Sequence, residues 1–315
     1  MKLIKPSFLI KEQEPGLIGI YRQIEYAGRI CYKSSNKITE DSAKSFVDRM
    51  IKSGHGAMLE HGTVYLKVPT GKYSFLDVDY FDDCDDIKDS FFSNPYTRIH
   101  CQEGYYYIST NYRVLIENFS KEFISELLQY LCEPTEFHEK RITVHFVCDR
   151  GVSHEFVRHR VFSFAQESTR YCNYSKDKFS NEITYICPCW LDYNKAQELT
   201  EIANKDNKEV YRMGHDESLS MEERGLCSFV YDMSNHEHGY LFQISAGWTP
   251  QQARAVLPNS LKTELVMTGF VSDWKHFFRL RSRIAKTGKP HPQAQELADP
   301  LMDEFVKRGI METLL

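Results

Sequence analysis

Long apolar runs are missing from this chain of 315 residues: no segment approaches the roughly 20 apolar residues that a membrane helix needs. The opening Met1-Lys2-Leu3-Ile4-Lys5-Pro6 is too short in apolar residues for a secretory signal. No membrane association is expected, and a cytoplasmic location is. Paired cysteines are missing too. The nine cysteines run from Cys31 to Cys227 with no Cys-x-x-Cys, so neither a disulfide framework nor a paired zinc knuckle is written here. Cations are in slight deficit, 39 Lys+Arg against 44 Asp+Glu for a net charge of -5. That excludes a protein that works by coating nucleic acid, and any anionic ligand must be met by a local cluster of cations. The common glycine-rich phosphate loops, Gly-x-x-x-x-Gly-Lys-Ser/Thr and Gly-x-Gly-x-x-Gly, are absent as well.

What is present is an ordinary folded composition, 42% hydrophobic and 26% charged, in a chain long enough to bury a sizeable core. We read residues 1–315 as one domain, without internal repeat or linker, carrying an acidic insertion within 70–135. Asp77, Asp79, Asp82, Asp83, Asp85, Asp86 and Asp89 form its densest part. They lack the glycine and closing glutamate of a calcium loop, so a solvated surface segment is expected.

Periodicity predicts a helix over 40–53 with Thr39 as cap and Gly54 as terminator, and a strand from Thr63 to Pro69 with His55 and His61 near its start. A second helix is expected after Ser120, through Leu131. Ile142, Val144 and Phe146 mark a half-buried strand, and Gly151-Val152-Ser153 a turn and cap for a helix reaching Arg160. Thr249-Pro250 opens a helix carrying Arg254, and further helices are expected over 272–283 and 292–307.

The most unusual segment is Arg158-His159-Arg160-Val161-Phe162-Ser163-Phe164-Ala165-Gln166-Glu167-Ser168-Thr169-Arg170-Tyr171, three arginines around a single acid. As composition alone, this reads either as a solvated face or as a phosphate cradle, since the arginine fork binds phosphate bidentately. The order of residues adds more. Arg-His-Arg, seven residues, then Ser, followed by Thr-Arg-Tyr, resembles the signature of the flavin-dependent thymidylate synthases. His55 and Leu59-Glu60-His61 with Thr63 resemble that family's histidine segment. Gln252-Ala253-Arg254-Ala255-Val256-Leu257-Pro258 and Phe277-Phe278-Arg279-Leu280-Arg281, followed by Ala294-Gln295-Glu296, resemble its C-terminal motifs.

The resemblance implies an α/β protein of the α+β type, with a central, mainly antiparallel sheet and flanking helices, assembled as a homotetramer with shared active sites. It implies reductive methylation of dUMP to dTMP with FAD, using 5,10-methylenetetrahydrofolate as one-carbon donor and NADPH as reductant. By the same resemblance Arg281 activates the uracil without a protein nucleophile. Glu155, Arg158, Gln166, Glu167, Ser168, Thr169, Arg170 and Arg254 join it around dUMP. His61, Thr63, Arg158, His159, Arg160, Gln166 and His276 are the FAD contacts so implied.

The chain also departs from the family's pattern. Glu155 stands where the family commonly has glutamine and Gln166 where it commonly has glutamate, and Phe270, Ser272 and His276 replace an Asn-x-Arg-x-x-x-Asn stretch. His276 is then either a flavin contact or a helix-surface histidine. Cys172 reads as a packing residue, although it follows an arginine cluster in which a thiolate would be stabilised. Ser168 lacks the elbow of a nucleophilic serine. His236-Glu237-His238 and Cys187-Pro188-Cys189 have no further ligand at a recognisable spacing, and no metal is expected. Two alternatives remain open: methylation of another pyrimidine nucleotide, and a non-catalytic nucleotide- or RNA-binding homologue.

Overall fold

A computed structural model describes residues 1–73, 94–176, 181–286 and 288–314. The acidic run 77–89 lies outside the described residues. In chain order the elements begin with β1 (Lys2–Ile4), β2 (Ser7–Lys11), α1 (Gly16–Cys31), α2 (Ser42–Lys52), α3 (Gly56–Leu59) and β3 (Thr63–Pro69). There follow β4 (Arg98–Gln102), β5 (Tyr105–Asn111), α4 (Tyr112–Asn118), α5 (Lys121–Leu127), β6 (Arg141–Asp149), α6 (Arg150–Phe156), β7 (Ser163–Gln166) and β8 (Thr184–Ile186). The C-terminal part holds α7 (Tyr193–Lys205), α8 (Asn207–Gly214), α9 (Met221–Ser245), α10 (Pro250–Ala253), β9 (Lys262–Phe270), α11 (Val271–Arg281) and α12 (Pro292–Lys307).

The sheet that positions the site is four-stranded and antiparallel, in the order β2-β6-β9-β7. Its two faces differ because side chains alternate along each strand. On one face Val144, Phe146, Leu265 and Met267 pack against Phe156 of α6, Trp274, Phe277 and Phe278 of α11, and Leu297, Leu301 and Phe305 of α12. Burying these large side chains contributes roughly 1.5–3 kcal/mol each, which makes this the rigid floor of the molecule. The opposite face carries Thr143, His145, Glu264 and Thr268 and meets α1 through a small apolar contact of Ala27, Ile30, Ala165 and Val266. A second sheet, β3-β5-β4, packs with α1, α2, α4 and α5, and a parallel pair, β1-β8, packs with α7 and α9. Part of the 70–135 stretch is thus integral to the fold, since β5 pairs with β3 along its whole length.

Several boundaries differ from expectation. The cap of α6 is Asp149, whose carboxylate accepts the Val152 N–H at 2.8 Å. A carboxylate there satisfies a free helix amide and suits the positive end of the helix dipole. The helix therefore starts earlier than a Ser153 cap would place it, and Ser153 turns inward. It also ends at Phe156, which leaves Arg158 to Arg160 in a turn. α2 is preceded by Asp41 rather than capped by Thr39, α5 stops at Leu127, and α10 stops at Ala253, so that Arg254 opens a 3₁₀ turn. Gly54 closes the end of α2 with φ +70°, a conformation glycine adopts freely. Among the described residues no helix is long and apolar enough to cross a membrane.

Candidate active site

The Arg158–Val161 turn is pinned to the sheet by Phe162, whose ring lies against the backbone of Gly269 so closely that a Cβ there would stand 2.5 Å from it. The same ring packs edge-on against Trp274, with centroids 4.7 Å apart. Arg158 and Arg160 are exposed and make no side-chain hydrogen bond or ion pair among the described residues. His159, between them, is buried at 7% exposure against Phe277. Burial, then the neighbouring Arg281 and His276, lower its pKa to about 4, so its ring is neutral at physiological pH.

Arg281, the last residue of α11, reaches this turn. Its Nε donates to His159 Nε2 at 3.1 Å and one terminal nitrogen donates to the Glu155 carbonyl at 3.2 Å. The other terminal nitrogen pairs with the Glu155 carboxylate. The guanidinium is therefore held in one orientation by three protein acceptors, and its charge is compensated by a carboxylate. His276 is exposed on α11 with its ring 6.4 Å from that of His159. Phe270 is buried beneath Arg98, whose guanidinium carbon lies 4.5 Å above the ring, and the Ser272 N–H donates to Glu139. Of the three replaced positions, His276 meets this region through its ring contact with His159.

A second cluster follows β7. The Ser168 N–H donates to the Cys31 carbonyl at 3.0 Å, and the Tyr171 ring packs on Tyr32, both at the end of α1. Thr169 Oγ1 accepts from Arg254 at 3.3 Å and Arg170 Nε donates to Gln251 at 3.3 Å. Two exposed arginines thus lie side by side with no carboxylate partner among the described residues. Gln166 and Glu167 face elsewhere. The Gln166 amide donates to Ser153 Oγ at 2.8 Å and to Thr263 Oγ1 at 3.3 Å. Glu167, at 2% exposure, pairs with Lys262 at 2.7 Å and cannot contact a ligand directly. Cys172 is fully buried in the apolar core, in keeping with a packing role.

The structure does not bring His61 and Thr63 to these clusters. His61 is fully enclosed, with Nδ1 2.8 Å from Thr268 Oγ1, and Nε2 has no partner among the described residues. Burial, then Arg141, lower its pKa to about 3. Thr63 is buried at the start of β3, exchanging backbone hydrogen bonds with the Gln13 side chain. Glu237 of the His-Glu-His segment is buried in α9 and accepts the Ile183 N–H at 2.7 Å. Among the described residues no group of three potential ligands could hold a metal ion.

A feature the sequence reading missed lies beside the second cluster. A cleft of about 830 Å³ is lined by Arg29, Tyr32, Lys33, Lys37, Arg49, Lys52 and His55, with no carboxylate in its lining among the described residues. Arg29 and Arg49 stack on the Phe46 ring at 4.9 and 5.6 Å. The signal was present as basic residues at spacings of four, Arg29, Lys33 and Lys37, running off the end of α1.

The family model for "Thymidylate synthase complementing protein" matches residues 100–308. A flavin-dependent thymidylate synthase from Pyrococcus furiosus is 26% identical over 168 residues, 53% of this chain and 55% of that protein. One from Corynebacterium efficiens is 32% identical over 134 residues, 42% of this chain and 46% of that protein. The chain spans about half the length of the curated relatives it matches. Among solved structures, the UMP/dUMP methylase PolB from Streptomyces cacaoi bound with 5-Br UMP is 13% identical, with 98% of this chain and 92% of that chain covered and a TM-score of 0.42.

Proposed function

Because this chain belongs to the thymidylate synthase complementing protein family, we propose that it converts dUMP to dTMP. The one-carbon unit comes from 5,10-methylenetetrahydrofolate, FAD is the bound redox group and NADPH the reductant. The observation that carries the reading is the pair of arginine clusters: Arg281 held rigidly by Glu155 and His159, and Arg254 on Thr169 beside Arg170 on Gln251, without a carboxylate among the described residues. The second cluster suits a nucleotide phosphate, which needs a bidentate fork and a hydroxyl donor. The first suits the pyrimidine ring, where a fixed cation stabilises developing negative charge at the ring oxygens and raises the nucleophilicity of C5.

The residues also fit a dinucleotide. The cation-lined cleft reaches the Ser168 loop through Tyr32 and Tyr171 and would meet a diphosphate with Lys37 and Arg49, while Arg158, His159, Arg160 and His276 remain for the flavin end. When bound, FAD supplies hydride transfer. The chain's own residues bind and orient: Arg170 and Arg254 hold the phosphate, and Arg281 acts on the ring. At C5 one C–H bond is replaced by a C–CH3 bond and the C5 proton leaves; the bonds from the methylene carbon to the folate nitrogens break, tetrahydrofolate departs, and the two electrons that reduce methylene to methyl originate in NADPH. Arg158 and Arg160, exposed and without an ion-pair partner among the described residues, suit sites completed by other subunits of a homotetramer.

One observation favours a second reading. The Glu155 carboxylate beside Arg281 opposes a ring anion and accepts N–H donors, as from the exocyclic amine of a cytosine, so dCMP is the alternative acceptor. The test is to load the purified protein with FAD, desalt it, titrate dUMP or dCMP against the visible flavin spectrum, and assay methylation with methylenetetrahydrofolate and NADPH. Retained flavin, a dUMP-dependent shift and dTMP formation are expected. Methylation of dCMP alone would move the second reading forward. Nucleotide binding without flavin or turnover would overturn both in favour of a non-catalytic binding protein.

A further inference from the structure

Beneath the Ser168–Tyr171 loop, between α1 and the polar face of the sheet, lies a set of charged groups to which no role has yet been given. Lys262 Nζ, on β9, lies 2.7 Å from Glu167 and 2.6 Å from Glu264. Glu264 in turn pairs with Lys33 and lies 3.2 Å from His145, whose other ring nitrogen is 2.7 Å from the Tyr26 hydroxyl. The Tyr174 hydroxyl donates to the second oxygen of Glu167 at 3.4 Å. The Glu167 side chain is 1% exposed and that of Lys262 13% exposed, so the Glu167 charge depends on Lys262, while Lys262 is held between two carboxylates.

Position decides what the pair can do. Glu167 immediately precedes Ser168, and its backbone N–H donates to the Glu264 carbonyl at 2.8 Å. The strand pairing of β7 with β9 is thereby extended one residue beyond Gln166. The carboxylate then anchors the same residue a second time, through Lys262. Beyond this double anchor, Ser168, Thr169 and Arg170 leave the sheet and meet Arg254 and Gln251. A leucine at 167 and an apolar residue at 262 would fill the space equally well, and buried pairs often contribute little net stability. What the ion pair adds is direction: the residue before Ser168 can face only Lys262, which fixes which of its neighbours points outward.

We propose that Lys262 is a positioning residue for the nucleotide-binding loop, acting through Glu167 and touching neither substrate nor cofactor. The proposal rests on the reading of Ser168–Arg170 as the nucleotide loop, and its test separates the two. In the FAD-loaded protein, Lys262→Met leaves Glu167 without its cation. We expect the KM for dUMP to rise about 10- to 100-fold, with kcat at saturating nucleotide within about twofold and flavin retention unchanged. Adding Glu167→Gln to Lys262→Met removes the uncompensated charge but not the loss of the anchor, so the KM is expected to return only in part. Lys262→Arg, which keeps the charge, should stay close to the parent.

Hydrogen exchange of the peptide spanning residues 166–174, measured without nucleotide, reads the loop itself. It should be faster in Lys262→Met and recover only in part in the double variant, whatever the enzyme's substrate proves to be. Partly recovered protection in a protein that never binds dUMP or dCMP would overturn the nucleotide reading but leave the anchor standing. Unchanged exchange and KM in Lys262→Met would overturn the proposal, as would a double variant restored fully to the parent, because the stray charge and not the lost anchor would then be the cause. If Lys262→Met fails to fold, Glu167→Gln alone, which leaves Lys262 paired with Glu264, carries the same exchange test with a smaller expected change.

Discussion

Arg281 and Arg254 come from two of the motifs that first suggested a nucleotide site, yet the fold treats them in opposite ways. Arg281 sits at the end of a helix packed on an aromatic floor, with all three donor directions engaged by Glu155 and His159. Arg254 opens an exposed turn and makes one long hydrogen bond to Thr169. The difference is one of preorganisation. A group that acts on charge developing in a reaction gains from being fixed beforehand, whereas a group that captures a phosphate gains from remaining solvated and free to close on it.

Acid should break the fixed end first. His159 is neutral in the fold with a pKa near 4, while the unfolded chain binds the same proton near pH 6.5. Its stabilising effect is complete above about pH 6.5 and is lost as pH falls toward 4, at roughly 1.4 kcal/mol per pH unit. His61, lowered to about 3, adds a loss of the same sign. Urea midpoints measured at pH 7.5, 6.5, 5.5 and 5 should therefore fall steadily below 6.5. The slope for His159→Gln should be shallower than that of the parent, with His61 and the buried His138 supplying the remainder, and identical slopes would remove His159 from the account.

The next largest effect should come from Arg281→Ala. With the fixed cation gone, turnover should drop about 100-fold or more, roughly 3 kcal/mol of transition-state stabilisation, while flavin retention stays near that of the parent. Arg281→Lys should not rescue it, because a point charge cannot span Glu155 and His159 together. Arg254→Ala should act on binding instead. An increase in nucleotide KM of about 10- to 30-fold with kcat nearly unchanged, shrinking at higher salt, would mark it as a phosphate contact. A kcat effect from Arg254→Ala would erase the distinction between the two ends.

The sequence disclosed the exposed end more readily than the buried one, for physical reasons. α11 and α12 announce themselves by periodicity because each has one wet and one dry face, and β3 by its β-rich run ending at Pro69. β9 does not, since all but its first residue are buried and it carries Thr263, Glu264 and Thr268 among its apolar positions. Its absence from the sequence reading hid Lys262 and Glu264, the partners that turn Glu167 inward. α9 mixes polar and apolar residues over its length because it meets α7 and α8 as well as the β1-β8 pair, and it left no clear stripe. The motif arginines were legible as residues, but which of them is paired was not. Glu155 stood out only as a departure from a pattern until α6 and α11 brought it onto Arg281.

That pairing gives the smallest expected effect and the finest discrimination. Glu155→Gln keeps an acceptor near Arg281 but removes the negative charge, so the guanidinium is freed to share its donors with ring oxygens. If the acceptor is uracil, the substitution should raise dUMP turnover relative to dCMP by about tenfold, or roughly 1.4 kcal/mol, because a carboxylate no longer opposes the ring anion. If the carboxylate instead receives an exocyclic amine, the same change should cost dCMP turnover and leave dUMP little altered. Parallel progress curves with the two nucleotides separate these outcomes. Equal loss on both would mean that Glu155 acts only by holding Arg281 in place, and the guanidinium's orientation rather than its charge balance would then set the chemistry at this end of the site.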